Sequence, residues 1–332
     1  MKLLLKVLLL LGGLGLIAWF VWRAGPAEVA GVFRQLGWWL PVALLPFLLV
    51  YFLDTLGWRF AFGGTGERPA FPQLMRVRWA GEAVNNVVPT GYVGGEAVKA
   101  LLLTRRGTSG LAATSSVVVG KTLQVTAQVL FIALGAGLAF WLLPAASPTR
   151  TGMAWVAGLA ALVVVGLFWI QSHGIFKFVQ RLLAVLPFRV RALESRQDQL
   201  RAVDERIRRF YQREPRFVAA STASYFLGWL GDALDLWIAS HLLGFPLDFA
   251  TAIAIESFIT VAKALGIFVP GAIGVQESGV WLLFQLFGLG QPQAAAYALL
   301  RRGRELIYTA IGLALLYRET GTWSWLRSPT TH

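Results

Sequence analysis

Charged side chains lie where the sequence is otherwise strongly apolar. An ionised group in an apolar environment is costly, so such residues either face a water-filled cavity or pair with an opposite charge. Bases and carboxylates gathered in one cavity could bind a charged headgroup, orient it, or carry a coupling proton. The residues concerned are Asp54, Glu82, Glu96, Lys99, Lys121, Asp235, Glu256, Lys263, Glu277, Arg301, Arg302, Arg304 and Glu305.

Two apolar segments, 79–104 and 252–289, are broken by proline and glycine. Proline ends a helix and glycine permits non-helical backbone, so each segment is predicted to form a helical hairpin. The first hairpin breaks at Pro89, with a new helix starting near Gly95, and the second breaks at Pro270. Each new short helix presents free N–H groups and a positive dipole end, which suit an anion.

The basic residues of these segments, chiefly Lys99, Lys121, Lys263 and Arg302, are candidates for binding a phosphate or another anionic headgroup. In the alternative, the glutamates only cap the short helices and pair with the bases to hold the chain together. Asp54 and Asp235 are interpreted as structural. The predicted substrate-binding residues are Asn85, Asn86, Pro89, Gly91, Gly94, Gly95, Glu96, Lys99, Lys121, Lys263, Pro270, Gly271, Gly274, Glu277, Arg301 and Arg302. The predicted coupling or orienting residues are Glu82, Glu256, Arg304 and Glu305.

Catalytic signatures are missing from the sequence. The chain has no Cys and three scattered His, which excludes thiolate chemistry and disfavours a metal site. There is no Walker A loop, no Gly-x-Ser-x-Gly elbow and no His-Glu-x-x-His motif. We therefore predict no catalytic residue, no metal, no cofactor and no enzymatic activity, with a membrane-embedded transferase using Glu96 or Glu277 as the remaining alternative.

The elements that must position these residues are membrane helices. Hydrophobic residues make up 56% of the 332 positions and charged residues 14%, with a mean hydropathy of +0.61. A helix needs about 20 apolar residues to cross a bilayer. The predicted fold is an all-α polytopic membrane protein in a single domain, with about six full spans and two broken re-entrant hairpins. The spans are placed at 3–22, 38–58, 110–143, 152–171, 217–243 and 294–317.

One of these segments is longer than a single crossing requires. The stretch 110–143 is predicted to contain a break, with a short membrane-depth helix before the true span.

Basic residues between the spans are distributed unevenly. We assume that each hairpin returns to the side of the membrane from which it enters. Nearly all of the basic residues, including Arg78 and the run 174–216, then lie on one side of the membrane. The other side carries little more than Arg34 and Arg150. The positive-inside rule then puts both termini in the cytoplasm, in a bacterial inner membrane. The charge of +13 follows topology, so a nucleic-acid partner is not predicted.

The run 174–216 has eleven basic and five acidic residues, interleaved with apolar ones such as Phe176 and Leu182. It is predicted to form amphipathic helices on anionic headgroups, with a topology-setting linker or a regulatory docking site as alternatives.

An internal repeat joins the two halves. A shift of 181 positions aligns Asp54 with Asp235, Pro89 with Pro270 and Glu96 with Glu277. Under the topology above, the copies are inverted, an arrangement typical of transporters with a site between repeats. The predicted units are an N-terminal helix (1–24), repeat 1 (38–143), a linker with the basic segment (152–216) and repeat 2 (217–317).

At these hairpins the sequence resembles the flippase-like family of the lysylphosphatidylglycerol synthase transmembrane region, and most closely its hopanoid-biosynthesis-associated branch. The resemblance covers nearly the whole chain. It is carried by Asn85-Asn86 leading to Pro89, Gly94-Gly95-Glu96 with Lys99, Ser115 to Val119, Pro270 to Glu277, and Arg301 to Glu305. Gly120-Lys121 departs from the acidic residue that such branch members often have after the valine run.

The resemblance implies movement of a lipid, or of a lipid-linked group, between leaflets. The synthase's soluble aminoacyl-transfer domain is absent from this chain, so lipid aminoacylation is not expected of it alone. Expected partners are membrane lipids, anionic or phosphate-bearing, with a lipid-modifying enzyme and an oligomer also allowed. The alternative is an accessory protein that holds lipid for such an enzyme without moving it.

Overall fold

The computed structural model describes residues 19, 21–22, 25–39, 42–43, 45–64, 66–88, 93–142, 151–152, 155, 158–159, 162, 197–266 and 269–321. These residues form helices and turns without a strand, which confirms the all-helical prediction. The helices are α1 (Pro26–Leu36), α2 (Pro46–Phe60), α3 (Phe71–Val87), α4 (Val93–Arg105), α5 (Gly110–Leu142), α6 (Gln197–Arg213), α7 (Pro215–Leu242), α8 (Phe249–Leu265), α9 (Val275–Leu286) and α10 (Gln291–Thr320), with short 3-10 turns at Gly37–Trp39 and Pro270–Ala272.

Proline marks where several of these helices begin. Pro46, Pro72, Pro215 and Pro292 each occupy the first turn of a helix, where the missing N–H has no intrahelical partner to lose. Asp248 caps α8 by accepting a hydrogen bond from the Thr251 N–H at 2.9 Å. Helix starts are thus encoded locally.

Helices from the two halves of the chain pack against each other. α2 lies on α7, α3 on α10, and α5 on α8. Small residues allow the close approach: Gly57 meets the Tyr225 ring, and Gly312 faces the Trp79 carbonyl. The Trp79 indole also donates to the Tyr308 carbonyl at 2.9 Å. The two halves therefore form one tightly packed body.

The helix α5 corrects the expectation of a break in 110–143. It runs unbroken for 33 residues, which is about 50 Å at 1.5 Å per residue. No proline lies inside it. This exceeds the roughly 30 Å of a hydrocarbon core, so the helix is long enough to cross one without a break.

Among the described residues, α5 is the helix that qualifies as a membrane span by length and apolar composition. The helices α7 and α10 have 28 and 30 residues but carry charged residues along their length. The segments 3–22 and 152–171 lie almost entirely outside the described residues. The count of six spans stays a prediction.

The helix α6 lies within the basic run 174–216, and its apolar side faces protein. Val203, Ile207 and Phe210 are buried in one core cluster with residues of α3, α4 and α5. An amphipathic pattern requires only that something apolar covers one face, and here α5 and α7 contribute that cover. The apolar residues at 175–183, predicted to contact lipid, lie outside the described residues.

Candidate functional site

The first hairpin gathers charges from α2, α3 and α4. The Lys99 ammonium lies 2.7 Å from a Glu82 oxygen and 2.9 Å from a Glu96 oxygen. Arg78 contacts Asp54 and lies 3.9 Å from Glu82. We call Asp54, Arg78, Glu82, Glu96 and Lys99 the first cluster. Lys99 and Arg78 are buried, so these contacts are shielded from bulk water.

Two glycines allow the arms of this hairpin to touch. A β-carbon on Gly95 would overlap the Gly81 carbonyl oxygen and the Asn85 side chain. The Gly95 N–H instead donates to the Asn85 Oδ1 at 2.8 Å. Since Gly81 also lies against the Lys99 side chain, any larger residue at either glycine would displace the cluster.

The second hairpin holds a matching set of charges between α8, α9 and α10. Arg302 donates to Glu277 at 2.7 Å and to Glu305 at 2.8 Å, and Lys263 lies 3.6 Å from Glu305. We call these four residues the second cluster. Gln276 donates to Glu305 at 3.2 Å and joins the cluster to the start of α9.

The backbone of the second hairpin turns through left-handed positions. Gly271 has φ of 57° and Gly274 has φ of 85°, which residues with a β-carbon rarely adopt. The Gly274 N–H donates to Glu277 at 2.7 Å, so Glu277 caps α9 while its other oxygen binds Arg302. Arg302 also donates to the Gly271 carbonyl at 3.0 Å, which ties the turn to α10.

The second turn lies against the end of the first hairpin's α3. The 3-10 turn packs on α3, and a β-carbon on Gly271 would lie 3.5 Å from the Asn86 carbonyl oxygen. The Asn86 side chain donates to Thr309 of α10 at 3.0 Å. The hairpins from opposite halves thus meet.

Two further ion pairs are buried beside these clusters. Glu256 of α8 is fully buried and accepts from Arg301, and its other oxygen accepts from the Tyr297 hydroxyl at 3.2 Å. Arg304 contacts Asp235 of α7. Both pairs join helices, so they fix helix packing as well as charge.

A narrow gap reaches the second cluster from the side of α9 and α10. Its volume is about 10 Å³, room for roughly one water, and Val21 and Trp281 line it together with Glu277 and Arg302. The space that this gap leaves beside Glu277 and Arg302 is too small for a lipid headgroup.

A comparison with family models decides the family. The model described as the lysylphosphatidylglycerol synthase TM region matches residues 3–312, nearly the whole chain. The chain belongs to this family.

A curated relative supports the lysylphosphatidylglycerol synthase TM assignment. The chain is similar to a UPF0104 membrane protein of Pyrococcus horikoshii, at 21% identity over 315 residues that cover 90% of this chain and 92% of the relative. No solved structure matches the chain significantly. The family makes this chain a membrane protein and points to a lipid-related function. Its placement in the hopanoid-associated branch stays a prediction.

Within this family member, the predicted site residues fall into distinct groups. Glu82, Glu96 and Lys99 meet in the first cluster, and Lys263, Glu277, Arg302 and Glu305 form the second. Glu256 with Arg301, and Arg304 with Asp235, are the separate buried pairs. Gly94 is helical in α4, and Pro89 and Gly91 lie outside the described residues.

Lys121 joins the first cluster indirectly. Its ammonium donates to Gln124 at 3.3 Å, and Gln124 donates to Asp54 at 3.2 Å. A base at this position therefore extends the network of the first cluster along α5.

One position differs from expectation. Arg78 was expected among the exposed connections but lies inside α3, 5% exposed, because α3 begins at Phe71, eight residues before the predicted segment. The helix after the first break begins at Val93, which agrees with the predicted start near Gly95.

Sequence reasoning also missed polar residues that complete the site. Asp232 and Gln276 are buried, and Tyr297 binds Glu256. Asn85 Nδ2 and Gln276 Oε1 are buried without a hydrogen-bond partner in the described part of the chain. A polar residue inside an apolar segment was the available signal, and the prediction applied it to Asn85 and Asn86 but not to Asp232, Gln276 or Tyr297.

Proposed function

We propose that this chain is a flippase that moves an anionic or lipid-linked headgroup between the leaflets of the inner membrane. The headgroup passes between the two hairpins while the acyl or isoprenoid tail stays in lipid. The observation that carries the proposal is the meeting of the hairpins from opposite halves, with buried charges beside both. Membership of a lipid-related membrane family agrees with it.

The two halves are proposed to be inverted repeats around this site. Helix positions support the idea: α5 begins at Gly110 and α10 at Gln291, 181 residues later, and α4 and α9 end at Arg105 and Leu286 with the same separation. The packing is also symmetric under exchange of the halves. The pair α3 with α10 corresponds to α8 with α5, and α2 packs on α7, its own counterpart. Such repeats allow two alternating states around one site.

The proposed orientation has both termini in the cytoplasm. Exposed arginines gather where α4 ends and α6 lies, including Arg105, Arg106, Arg208 and Arg213. By the positive-inside rule this end faces the cytoplasm.

In the proposed mechanism, a phosphate exchanges with a carboxylate. Lys99 and Arg302 are already bound to glutamates, and stripping a buried base of its partner costs several kcal/mol, of the order of 3–5. A phosphate oxygen can replace Glu82 or Glu277 as the base's partner, and the displaced carboxylate then keeps its other contact, with Arg78 for Glu82 and with the Gly274 N–H for Glu277. Among the described residues, Asn85 Nδ2 and Gln276 Oε1 have no hydrogen-bond partner, so the first can donate to a phosphate oxygen and the second can accept from a headgroup hydroxyl or ammonium.

The test is lipid translocation by purified protein in liposomes. Headgroup-labelled lipids of anionic, zwitterionic and isoprenoid-phosphate classes are followed by loss of signal to a membrane-impermeant quencher. The wild-type protein is expected to move at least one phosphate-bearing class. The double variant Lys99→Gln with Arg302→Gln is expected to slow it by about tenfold or more, since each charge-assisted bond contributes roughly 1.5–3 kcal/mol.

The matched control is Arg208→Gln with Arg213→Gln, which removes the same charge from exposed positions and should leave the rate unchanged. If the folded wild-type protein moves no class, the flippase proposal fails.

The closed packing favours a second candidate, an accessory protein that holds lipid for a lipid-modifying enzyme. Gly81 and Gly95 leave no space between the arms of the first hairpin, and Gly312 presses α10 onto α3. Lipid that co-purifies with a protein inactive in translocation would favour this candidate.

A further inference from the structure

A second cavity lies away from the hairpins, between α6 and the first turns of α5. Its volume is about 370 Å³, within the usual range of about 300–1,000 Å³ for small-molecule sites. Ser115, Ser116, Arg206, Arg209 and Phe210 contribute to its lining. None of the residues of the first or second cluster takes part in it.

One side of this cavity is formed by α5, which contributes Leu111, Ala112, Ser115, Ser116 and Val119. The proposed transport path does not use these residues. Ser115 and Ser116 turn their hydroxyls back to the carbonyls of Leu111 and Ala113, at 2.7 and 2.9 Å. These side chains are small and already hydrogen-bonded within α5, so they leave space beside the helix. The cavity is therefore created by the residue types of α5.

The opposite wall is a rigid helix that presents guanidinium groups. α6 is anchored through the buried Val203, Ile207 and Phe210, so its arginines project from a fixed frame. Arg206 and Arg209 line the cavity, and Arg209 also makes an exposed ion pair with Glu205 at 3.0 Å. The anchored helix favours binding because its backbone does not have to be ordered when a ligand arrives.

The surroundings favour an anion. Segment 197–216 carries six arginines and four carboxylates, a net charge of +2. Of the two carboxylates on the cavity wall, Glu214 accepts from the Gly64 N–H, and Glu205 binds Arg208 and Arg209. Guanidinium groups bind phosphate oxygens in pairs, and the Phe62 and Phe210 rings offer apolar surface beside them.

We propose that this cavity is a binding site for a phosphate group attached to an apolar or glycerol moiety, with Arg206 and Arg209 as the anion-binding residues. It lies beside the first turns of α5, at the end of the bundle where exposed arginines gather. A phospholipid headgroup or a soluble phosphate compound would meet the same chemistry there.

The test reports on this cavity alone. The chain has no cysteine, so Ala202→Cys, on the cavity lining, gives a single reactive thiol, and Gln212→Cys gives a matched exposed thiol on the same helix. The rate of maleimide labelling of the full-length protein is measured with short-chain phosphatidylglycerol, short-chain phosphatidylcholine or inorganic phosphate. At ten times the Kd, phosphatidylglycerol is expected to slow labelling at position 202 about tenfold and to leave position 212 unchanged.

Adding Arg206→Gln and Arg209→Gln to the Ala202→Cys protein is expected to abolish protection, whereas Arg208→Gln with Arg213→Gln is not. Protection by inorganic phosphate without protection by phosphatidylglycerol would identify a soluble phosphate compound as the ligand source and uphold the site. The proposal is overturned if no probe protects, if protection survives loss of Arg206 and Arg209, or if both thiols are protected alike. It is also overturned if the thiol at 202 is unreactive without ligand, because the chain itself would then cover the cavity.

Discussion

The buried pair of Glu256 and Arg301 offers a sharp test of the packing between α8 and α10. Glu256 is fully buried and Arg301 is 5% exposed, so neither charge can recover its hydration if the partner is removed. Arg301→Met would leave the carboxylate with only the Tyr297 hydroxyl, 3.2 Å away. Glu256→Leu would leave the guanidinium buried without its carboxylate.

We expect each single variant to lower the free energy of unfolding by about 3–5 kcal/mol, the usual cost of stranding one member of a buried pair. The double variant Glu256→Leu with Arg301→Met replaces both charges by apolar groups and should lie within about 1 kcal/mol of the wild type. The double-mutant cycle then has a coupling energy of at least about 5 kcal/mol.

The measurement is reversible unfolding in mixed micelles with increasing denaturing detergent, followed by tryptophan fluorescence. Leu306→Met, at an exposed position of α10, is the control for introducing methionine and should not change stability. Additive single effects, with a coupling energy below about 0.5 kcal/mol, would refute the buried pair.

Two further predictions concern a hairpin contact and a helix cap. Gly95→Ala should lower the temperature of unfolding and the translocation rate, because an added β-carbon has no room in the first hairpin. The control Gly137→Ala adds a β-carbon in open space and should change neither quantity. Equal effects of the two variants would contradict the close packing at Gly95. Asp248→Ala should destabilise the protein by about 1 kcal/mol by removing the α8 cap. The hydrogen bond from the Thr251 hydroxyl lowers the pKa of Asp248, so the carboxylate's contribution is present above about pH 4 and lost as the pH falls through the lowered pKa. In Asp248→Asn the cap should persist without that pH dependence. If the loss of stability at acidic pH were the same in Asp248→Asn as in the wild type, the proposed contribution of the Asp248 carboxylate would be wrong.

Local structural features of this protein can be predicted from its sequence. The apolar blocks, the prolines at helix starts and the two broken hairpins depend on residue type and short-range spacing, and the described helices follow most of them. The 181-residue offset was likewise visible, because aspartate, proline and glutamate are rare enough in apolar helices to mark corresponding positions. The family match over residues 3–312 agrees with the motifs at those places.

The tertiary structure alone decided which charges meet. Which face of a helix is buried depends on the helices packed against it, not on its own sequence alone. Arg78 was assigned to an exposed connection because the helix start was placed eight residues too late, and it pairs with Asp54 inside the bundle. The partners of Glu256 and Arg304, on helices far apart in sequence, depend on how those helices pack.

The tertiary structure also decided whether α5 is continuous and what covers the apolar face of α6. The length of α5 predicted a break within it, but the helix is continuous. The neighbouring helices α4, α6, α7 and α8 pack against it. An amphipathic pattern predicted that α6 buries one face, but it cannot distinguish lipid from protein as the cover, since both are apolar. The sequence of this protein therefore determines where its apolar, uncharged helical segments lie. Which charged residues pair with each other depends on how the two halves pack.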